Sequence, residues 1–311
     1  VTASIPFIAL YNGGAAVFRA MGNSEVSMKV SLLMNAINVS GNAILIYGFH
    51  CGTEGVAIPT LVSRFVAAFI IIKLLLKDKW SLHLERTYRF NPDWSMIRKI
   101  LSVGIPNGLE NSMFQLGKVL VLSLVSTFGT YAIAANAVSN VITLFSILPG
   151  QAICLAVTTV IARCVGAGDY EQAKYYNKKL ILLTHIGMAI TIFIVFITLP
   201  FILKVYNLSE AASEATRHII WFHGFCAILI WAESFTLPAT FRACGDAKAC
   251  MIISTVSMWI FRVGASYILG KNLGLGVFGV WVAMIIDWAF RSLLFGIRYF
   301  SGKWKKHALV S

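Results

Sequence analysis

Long apolar segments, separated by short polar ones, run through this chain. Eight of them are at least 20 residues long and carry few charges, which is the pattern of membrane-spanning helices. They fall at residues 28–49, 55–77, 97–126, 131–163, 179–203, 216–240, 250–270 and 275–300. Residues 1–18 resemble the end of a further helix. The pattern predicts an all-α integral membrane protein, with about eight and a half transmembrane helices in this chain.

Composition and charge agree with this prediction. Of the 311 residues, 58% are hydrophobic and only 13% are charged. A soluble helical protein would need charged outer faces, which segments such as 180–203 lack. The net charge of +13 could indicate nucleic-acid binding, but most Lys and Arg residues lie in alternate loops and in the tail 298–306. By the positive-inside rule those loops and the C-terminus are cytoplasmic, so no nucleic-acid partner is predicted.

Two stretches, 15–60 and 238–284, look like copies of one unit. The first contains the sequence Phe18-Arg19-Ala20-Met21-Gly22-Asn23, and the second contains Phe241-Arg242-Ala243-Cys244-Gly245-Asp246. We call these the two Phe-Arg motifs. The same spacing joins Met28 to Met251, Ser31 to Ser254 and Gly41 to Gly264. A repeat of this length in a membrane chain predicts a duplicated transporter with its pathway between the halves.

The repeat also predicts the domain organisation. Only 17 residues precede the first motif, whereas the second copy begins near Ile97. We therefore expect about four helices upstream, giving an intact protein of two pseudo-symmetric six-helix bundles in parallel orientation. Residues 1–77 would be the second part of an N-lobe (the end of helix 4, and helices 5 and 6). Residues 78–96 would be a cytoplasmic linker, 97–300 a C-lobe (helices 7 to 12) and 301–311 a cytoplasmic tail.

Polar residues inside the predicted spans are concentrated on two consecutive helices. In span 97–126 they fall within about 140° of one another at 100° per residue, so they form one stripe. Span 131–163 carries a similar stripe. Such stripes either line a hydrated cavity or supply hydrogen bonds between helices, and the charged Glu110 and Lys118 favour the cavity. The predicted lining residues are Asn107, Asn111, Gln115, Lys118, Asn136, Asn140 and Thr143.

Two acids within spans are candidates for cation coupling or for contacting the charge of a substrate. A carboxylate in a low-dielectric cavity can take up a proton or a sodium ion, which makes Glu110 and Glu233 the candidates. The alternative for Glu233 is a structural partner of a basic group. His185, alone in its span, is more typical of a hydrogen-bonded interior residue than of a proton carrier.

Other intramembrane residues predict structure more than chemistry. A buried charge needs a partner, so Asp287 is expected to pair with Arg262 or Arg291. Three prolines lie inside spans, and each predicts either a hinge or a static kink: Pro106, Pro149 and Pro238. The six cysteines have no disulfide or metal spacing. No phosphate loop, metal motif or nucleophile motif is visible, so no enzyme activity, metal or cofactor is predicted, and active transport would use an ion gradient.

Several motifs in register resemble the multidrug and toxic compound extrusion (MATE) family, in its bacterial branch. Besides the Phe-Arg motifs these are Gly104-Ile-Pro106-Asn-Gly108-Leu-Glu110, Phe128–Ala135 and Ala162–Asp169. The resemblance implies two lobes around a V-shaped cavity and efflux of cationic or amphipathic compounds in exchange for sodium ions or protons. In the sodium-coupled branch an acidic pair occupies the positions that Phe114 and Trp231 take here.

The sequence as a whole predicts a monomeric, multi-pass antiporter of the bacterial inner membrane, exporting organic cations and drugs. A flippase for a lipid-linked or polysaccharide precursor, from the same superfamily, is the first alternative. It would need more Arg and Lys in the cavity, whereas the candidate acids are expected to equal or outnumber the bases. A membrane-embedded lipid enzyme is a further alternative, which would need clustered His, Asp or Glu at bilayer depth.

Overall fold

The computed structural model describes residues 2–84 and 92–307, with side chains to residue 305. Within these ranges the chain is helical and contains no strand, which confirms the predicted fold class. Residues 85–91 of the predicted linker 78–96, and 308–311 of the predicted tail, lie outside the described residues. The helices are α1 Ile5–Ala20, α2 Ser24–Ala43, α3 Glu54–Leu75, α4 Trp94–Ser126, α5 Thr130–Gly166, α6 Tyr170–Tyr206, α7 Glu210–Ala243, α8 Ala247–Ser257 and α9 Gly276–Phe300.

Most of these helices are suited to a membrane. In the part of the chain that the structure describes, seven helices are long and apolar enough to span a bilayer, counting α2 and α8 with the π-helical segments that extend them. The 33-residue α4 is not among the seven, and it carries the polar stripe from Asn107 to Lys118. Pro106, Pro149 and Pro238 lie inside α4, α5 and α7, and each helix continues through its proline.

The chain divides into two compact units. The first unit (Val1–Pro92) packs α1, α2 and α3 around fully buried side chains such as Phe18 and Ile71. In this unit Arg64 donates a hydrogen bond to Ser4 Oγ at 2.7 Å. The second unit (Asp93–Ser311) contains α4 to α9. Its central core cluster packs α7 and α9 against α4, α5 and α6.

Both Phe-Arg motifs end a helix in the same way. Gly22 and Gly245 adopt the left-handed region, with φ of +83° and +84°. The amide nitrogen five residues after each motif phenylalanine then donates to that phenylalanine's carbonyl at 2.9 Å, from Asn23 to Phe18 and from Asp246 to Phe241. This is the helix-ending arrangement that glycine permits, because it has no Cβ to clash.

The resemblance between the copies continues past the motifs. After α2 the chain forms a π-helix at Ile44–Gly48, and the corresponding part of the second copy forms one at Tyr267–Asn272. Each segment ends with a backbone hydrogen bond between residues six apart. The Cys51 amide donates to the Leu45 carbonyl, and the Leu275 amide donates to the Leu269 carbonyl. The repeat seen in the sequence is therefore also a repeat of backbone conformation.

Candidate functional site

The main cavity of the second unit is open on one side and has a volume of about 890 Å³. It is lined by side chains of α4, α5, α7 and α9, together with Arg262 from the π-helix after α8. Its wall carries four of the predicted lining residues, which are Asn107, Lys118, Asn140 and Thr143. Aromatic rings form much of the rest, from Phe114, Trp231, Phe235, Trp281 and Trp288. The combination of an apolar wall with a few polar groups is typical of small-molecule sites.

A side cavity of about 200 Å³ shares Lys118, Asn140, Arg262 and Trp281 with the main one. Asn136 lies on its wall, and Asn136 Oδ1 accepts a hydrogen bond from Trp281 Nε1 at 3.1 Å.

Two predicted lining residues, Asn111 and Gln115, are on the wall of neither cavity. The Asn111 amide instead donates to the Asn107 carbonyl of its own helix at 2.8 Å. Both side chains are exposed.

Glu110 is held by the arginine of the second Phe-Arg motif. It is only 8% exposed, and Arg242 Nη2 donates to both of its carboxylate oxygens at 2.8 Å. Charge-assisted bonds of this kind are stronger than neutral ones, and here they neutralise the acid. Glu110 is thus a bound carboxylate that joins α4 to α7. Nothing in the spacing of two residues so far apart in the chain would have revealed the pair.

Glu233 also has a partner, which is His185 of α6. His185 Nε2 lies 2.9 Å from Glu233 Oε1, and His185 Nδ1 lies 2.6 Å from the carbonyl oxygen of Ile228. A carbonyl only accepts, so Nδ1 carries a hydrogen. The second contact then needs a proton between the ring and the carboxylate, as imidazolium with carboxylate or as imidazole with carboxylic acid. The contact between His185 and Glu233 thus joins α6 to α7 through one hydrogen bond.

The pairing of Asp287 with Arg262 or Arg291 stays a prediction. In the described structure neither arginine lies within salt-bridge distance of Asp287, whose Oδ1 accepts from the Ser257 hydroxyl. Arg291 lies over the Phe235 ring at 4.7 Å, and Arg262 lies over Phe114 at 5.2 Å. Asp287 thus contacts a serine hydroxyl, and each of the two arginines contacts the face of an aromatic ring.

The charge of the cavity wall differs from the expected balance. Among the described residues the main cavity wall includes Lys118, Arg242 and Arg262 but no carboxylate. Glu110 lies behind the wall, where it is bound by Arg242, and Glu233 contacts His185.

Sequence reasoning placed Phe114 and Trp231 at the positions of the acidic pair, but it missed the aromatic character of the wall as a whole. Trp231 and Phe235 stack with ring centroids 4.9 Å apart, and the i, i+4 spacing of two aromatic residues was a signal that could have found them. Gly150 makes room for the Trp231 ring, because a Cβ there would overlap it. The position of Gly150 directly after Pro149 was a second sequence signal, because it marked this turn of α5 as unusual.

Comparisons with known proteins agree with this fold and cavity. The MatE family model matches residues 106–268, slightly more than half of the chain. The "Probable multidrug resistance protein NorM" of Thermotoga maritima is 27% identical over 96% of this chain and 64% of its own length. The chain therefore spans less than two thirds of that relative.

Two solved structures share the fold. A multidrug resistance MATE transporter in an outward-facing conformation has a TM-score of 0.86 at 20% identity, over 95% of this chain and 66% of its own. A MOP superfamily transporter from Pyrococcus furiosus, described as having a binding pocket of reverse polarity, has a TM-score of 0.84 at 21% identity, over 94% and 66% of the two chains. The helical fold, the repeated motifs and the family match together lead to one conclusion: the chain belongs to the MATE family.

Proposed function

We propose that this chain forms the larger part of a secondary active efflux transporter. It exports amphipathic drugs and other toxic compounds by alternating access, in antiport with sodium ions or protons. The observation that carries this proposal is the cavity of about 890 Å³ inside a helical unit, with aromatic walls and a few polar groups. The curated relative from Thermotoga maritima, with its multidrug resistance name, supports the same function.

Of the two ions, the geometry of His185 and Glu233 favours protons. Their 2.9 Å contact needs one proton, and losing it would set a carboxylate against the lone pair of a neutral imidazole. Both side chains are partly accessible, at 26% and 31%. Protonation on one side of the membrane and release on the other would couple the gradient to transport.

The membrane orientation follows from the charged loops. With the Lys- and Arg-rich loops in the cytoplasm, the C-terminus is proposed to be cytoplasmic. We further propose a multi-pass, monomeric protein of the bacterial inner membrane, which fits the bacterial relatives. Pro106, Pro149 and Pro238 would allow the helices to bend between the two access states.

The test is transport by the full-length protein in proteoliposomes loaded with rhodamine 6G. A proton gradient and a sodium gradient are imposed separately, each with and without an ionophore that collapses it. We expect the proton gradient to drive dye movement. If neither gradient moves the dye or any other amphipathic probe, the efflux proposal is wrong. If only sodium drives it, the proposal stands and the assignment of His185 and Glu233 fails.

One observation favours a second function, a flippase for an anionic lipid-linked precursor. The cavity wall carries Lys118, Arg242 and Arg262, which is the basic lining that such a substrate needs. Translocation of a fluorescent anionic lipid between leaflets by the same proteoliposomes, compared with protein-free vesicles, tests it.

A further inference from the structure

We propose that the cavity of the second unit binds the acidic group of an amphipathic anion between Lys118 and Arg262. This names a substrate class for the cavity, and its biological meaning rests on the proposed transport function. The resemblance to the MATE family had pointed to cationic or amphipathic compounds, with Glu110 and Glu233 as candidates for cation coupling or for contacting the charge of a substrate.

The two cations share one aromatic ring. Lys118 Nζ and Arg262 Cζ each lie 5.2 Å from the centroid of the Phe114 ring. They are therefore no more than about 10 Å apart, a range over which like charges repel in a low-dielectric site. Both also line the main and the side cavity. An anion placed between them would turn this repulsion into two attractions.

The nearby acids do not neutralise this pair. Arg242, the third cation of the wall, is matched by Glu110. Asp287 is the carboxylate that attracts Arg262, but it lies beyond salt-bridge distance and attracts Arg291 as well. One acid thus serves two guanidinium groups, and Lys118 has no carboxylate within salt-bridge distance among the described residues. The wall is left with excess positive charge.

A neutral donor stands beside the cations. Asn136 accepts from Trp281 through Oδ1, which leaves the two hydrogens of its Nδ2 group to donate to another oxygen. Asn136 shares the side cavity with both Lys118 and Arg262. Donors of this kind complete the coordination of a carboxylate, sulfonate or phosphate group.

The remainder of the main cavity suits an apolar body. Trp231 and Phe235 stack on each other, and Trp288 packs edge-on against Phe235 at 5.5 Å. These rings line the same cavity as Lys118 and Arg262. The ligand chemistry is therefore an acidic head on an aromatic or long apolar body. Two sources supply it, soluble organic anions and lipids with an anionic headgroup.

The experiment measures dye binding to full-length protein in nanodiscs of zwitterionic lipid. Fluorescein and rhodamine 6G share a xanthene ring system but carry opposite charge, and fluorescence polarisation reports the binding of each. We expect fluorescein to bind more tightly. Lys118→Gln should weaken fluorescein binding about tenfold and leave rhodamine 6G unchanged or tighter, because one charged contact is lost. Lys118→Arg should retain fluorescein binding, and Lys271→Gln, outside both cavities, is the matched control.

A competition experiment on the unmodified protein tests the same preference for anions. Naphthalene-1-sulfonate should displace fluorescein, whereas 1-naphthylmethylammonium should not. Equal displacement by both, tighter binding of rhodamine 6G, or fluorescein binding no greater than to empty nanodiscs would each overturn the proposal. Uptake of fluorescein into proteoliposomes would identify soluble anions as the source, and translocation of a fluorescent phosphatidic acid would identify lipids.

The two proposals fail separately. If rhodamine 6G is transported by an ion gradient but no anion binds, the efflux function stands and the anion site is wrong. If fluorescein binds through Lys118 but no gradient moves any probe, the anion site stands and the efflux function is wrong.

Discussion

Arg242 donates from Nη2 to both carboxylate oxygens of Glu110, each at 2.8 Å, although 132 residues separate them in the chain. The equivalent arginine of the first Phe-Arg motif, Arg19, instead reaches the Ser27 hydroxyl at 3.4 Å within the first unit. The second copy has Cys250 at the position of Ser27. The motif arginine is thus kept in both copies while its partner differs, and in the second unit it becomes part of the cavity wall.

Breaking this pair should destabilise the protein more than removing it. Glu110→Gln leaves Arg242 largely buried without a counter-charge, and Arg242→Gln leaves Glu110 in the same state, so each single variant should unfold at a lower temperature. The double variant should recover part of the loss, with a coupling energy of about 1–3 kcal/mol. Thermal unfolding of the detergent-extracted protein, followed by size-exclusion fluorescence, measures it. Strictly additive losses would show that the two residues do not interact.

Proton coupling should depend on the His185–Glu233 pair. His185→Gln and Glu233→Gln each remove the shared proton while keeping a polar side chain of similar size. We expect each variant to lose proton-driven dye transport while its dye affinity changes less than about threefold. Transport driven by stepped pH gradients, together with dye binding at fixed pH, separates the two effects.

The chain offers a matched control pair. His218 and Glu214 are also a histidine and a glutamate in contact, at 3.7 Å, but both are mostly exposed on one helix face. Exposed pairs contribute little, so His218→Gln and Glu214→Gln should leave proton-driven transport unchanged. If they reduce it as much as the His185 and Glu233 variants do, the effect is not specific to the interior pair.

The helices could be predicted from sequence because their main determinant is local. A bilayer demands long apolar runs, and α6, for example, extends the predicted 179–203 only by polar turns at its ends, to Tyr170–Tyr206. The predicted span 28–49 begins one turn after the observed start of α2 at Ser24, because the polar residues Ser24 and Glu25 resemble a loop. The charges of Glu25 and Lys29 are accommodated at the helix surface. In the structure these two residues form an exposed ion pair at 2.6 Å.

The partners of the polar residues could not be predicted, since they depend on how helices pack. Asn107 and Asn111 lie on one face of α4, yet only Asn107 lines the cavity, because the Asn111 amide turns back to its own helix. Likewise, no local pattern distinguishes a carboxylate that is free from one held by Arg242 on another helix. The polar stripe therefore predicted the location of the cavity better than its charge.

Gly245 should tolerate no side chain. Its φ of +84° lies in the left-handed region, where a Cβ costs about 1–2 kcal/mol, so Gly245→Ala should lower the thermal stability. Gly22→Ala, in the equivalent turn with φ of +83°, should have a similar effect. Gly13, inside α1 with open space around its Cβ position, is the control, and Gly13→Ala should be neutral or stabilising. Equal stability of all three variants would contradict the role of the turn.

The Cys244 thiol should be unreactive at neutral pH. Cys244 lies between α7 and α8 and is 1% exposed. Burial, helped by the charge of Asp246, raises its pKa to about 12. The thiolate is the nucleophile, so labelling should accelerate only as the pH rises towards 12. In single-cysteine variants at pH 8, we expect N-ethylmaleimide to label Cys244 at least about a hundredfold more slowly than the partly exposed Cys51.

The same shift gives stability a pH dependence of known sign. The raised pKa means that the folded state favours the neutral thiol. Its contribution to the free energy of unfolding is therefore full below the unfolded pKa of about 8.5 and is lost as the pH rises towards the folded value. Cys244→Ala should remove this part of the alkaline destabilisation, as measured by thermal unfolding between pH 7 and 10. Fast labelling at pH 8, or an unchanged alkaline profile, would contradict the buried position of the thiol.

Gly150 should set the position of the cavity's aromatic wall. A Cβ at this position would overlap the ring of Trp231, which is itself 2% exposed and packed against Phe235. Gly150→Ala should therefore cost about 1–3 kcal/mol of stability through overpacking. If the Trp231 ring moves into the cavity to relieve this overlap, dye binding should fall. Gly104 is the matched control, because it lines the same cavity with open space at its Cβ position, so Gly104→Ala should preserve both stability and binding. Thermal unfolding and dye polarisation are measured on both variants. If Gly150→Ala is as stable as Gly104→Ala and binds the dye equally well, the Trp231 ring is not fixed by this contact.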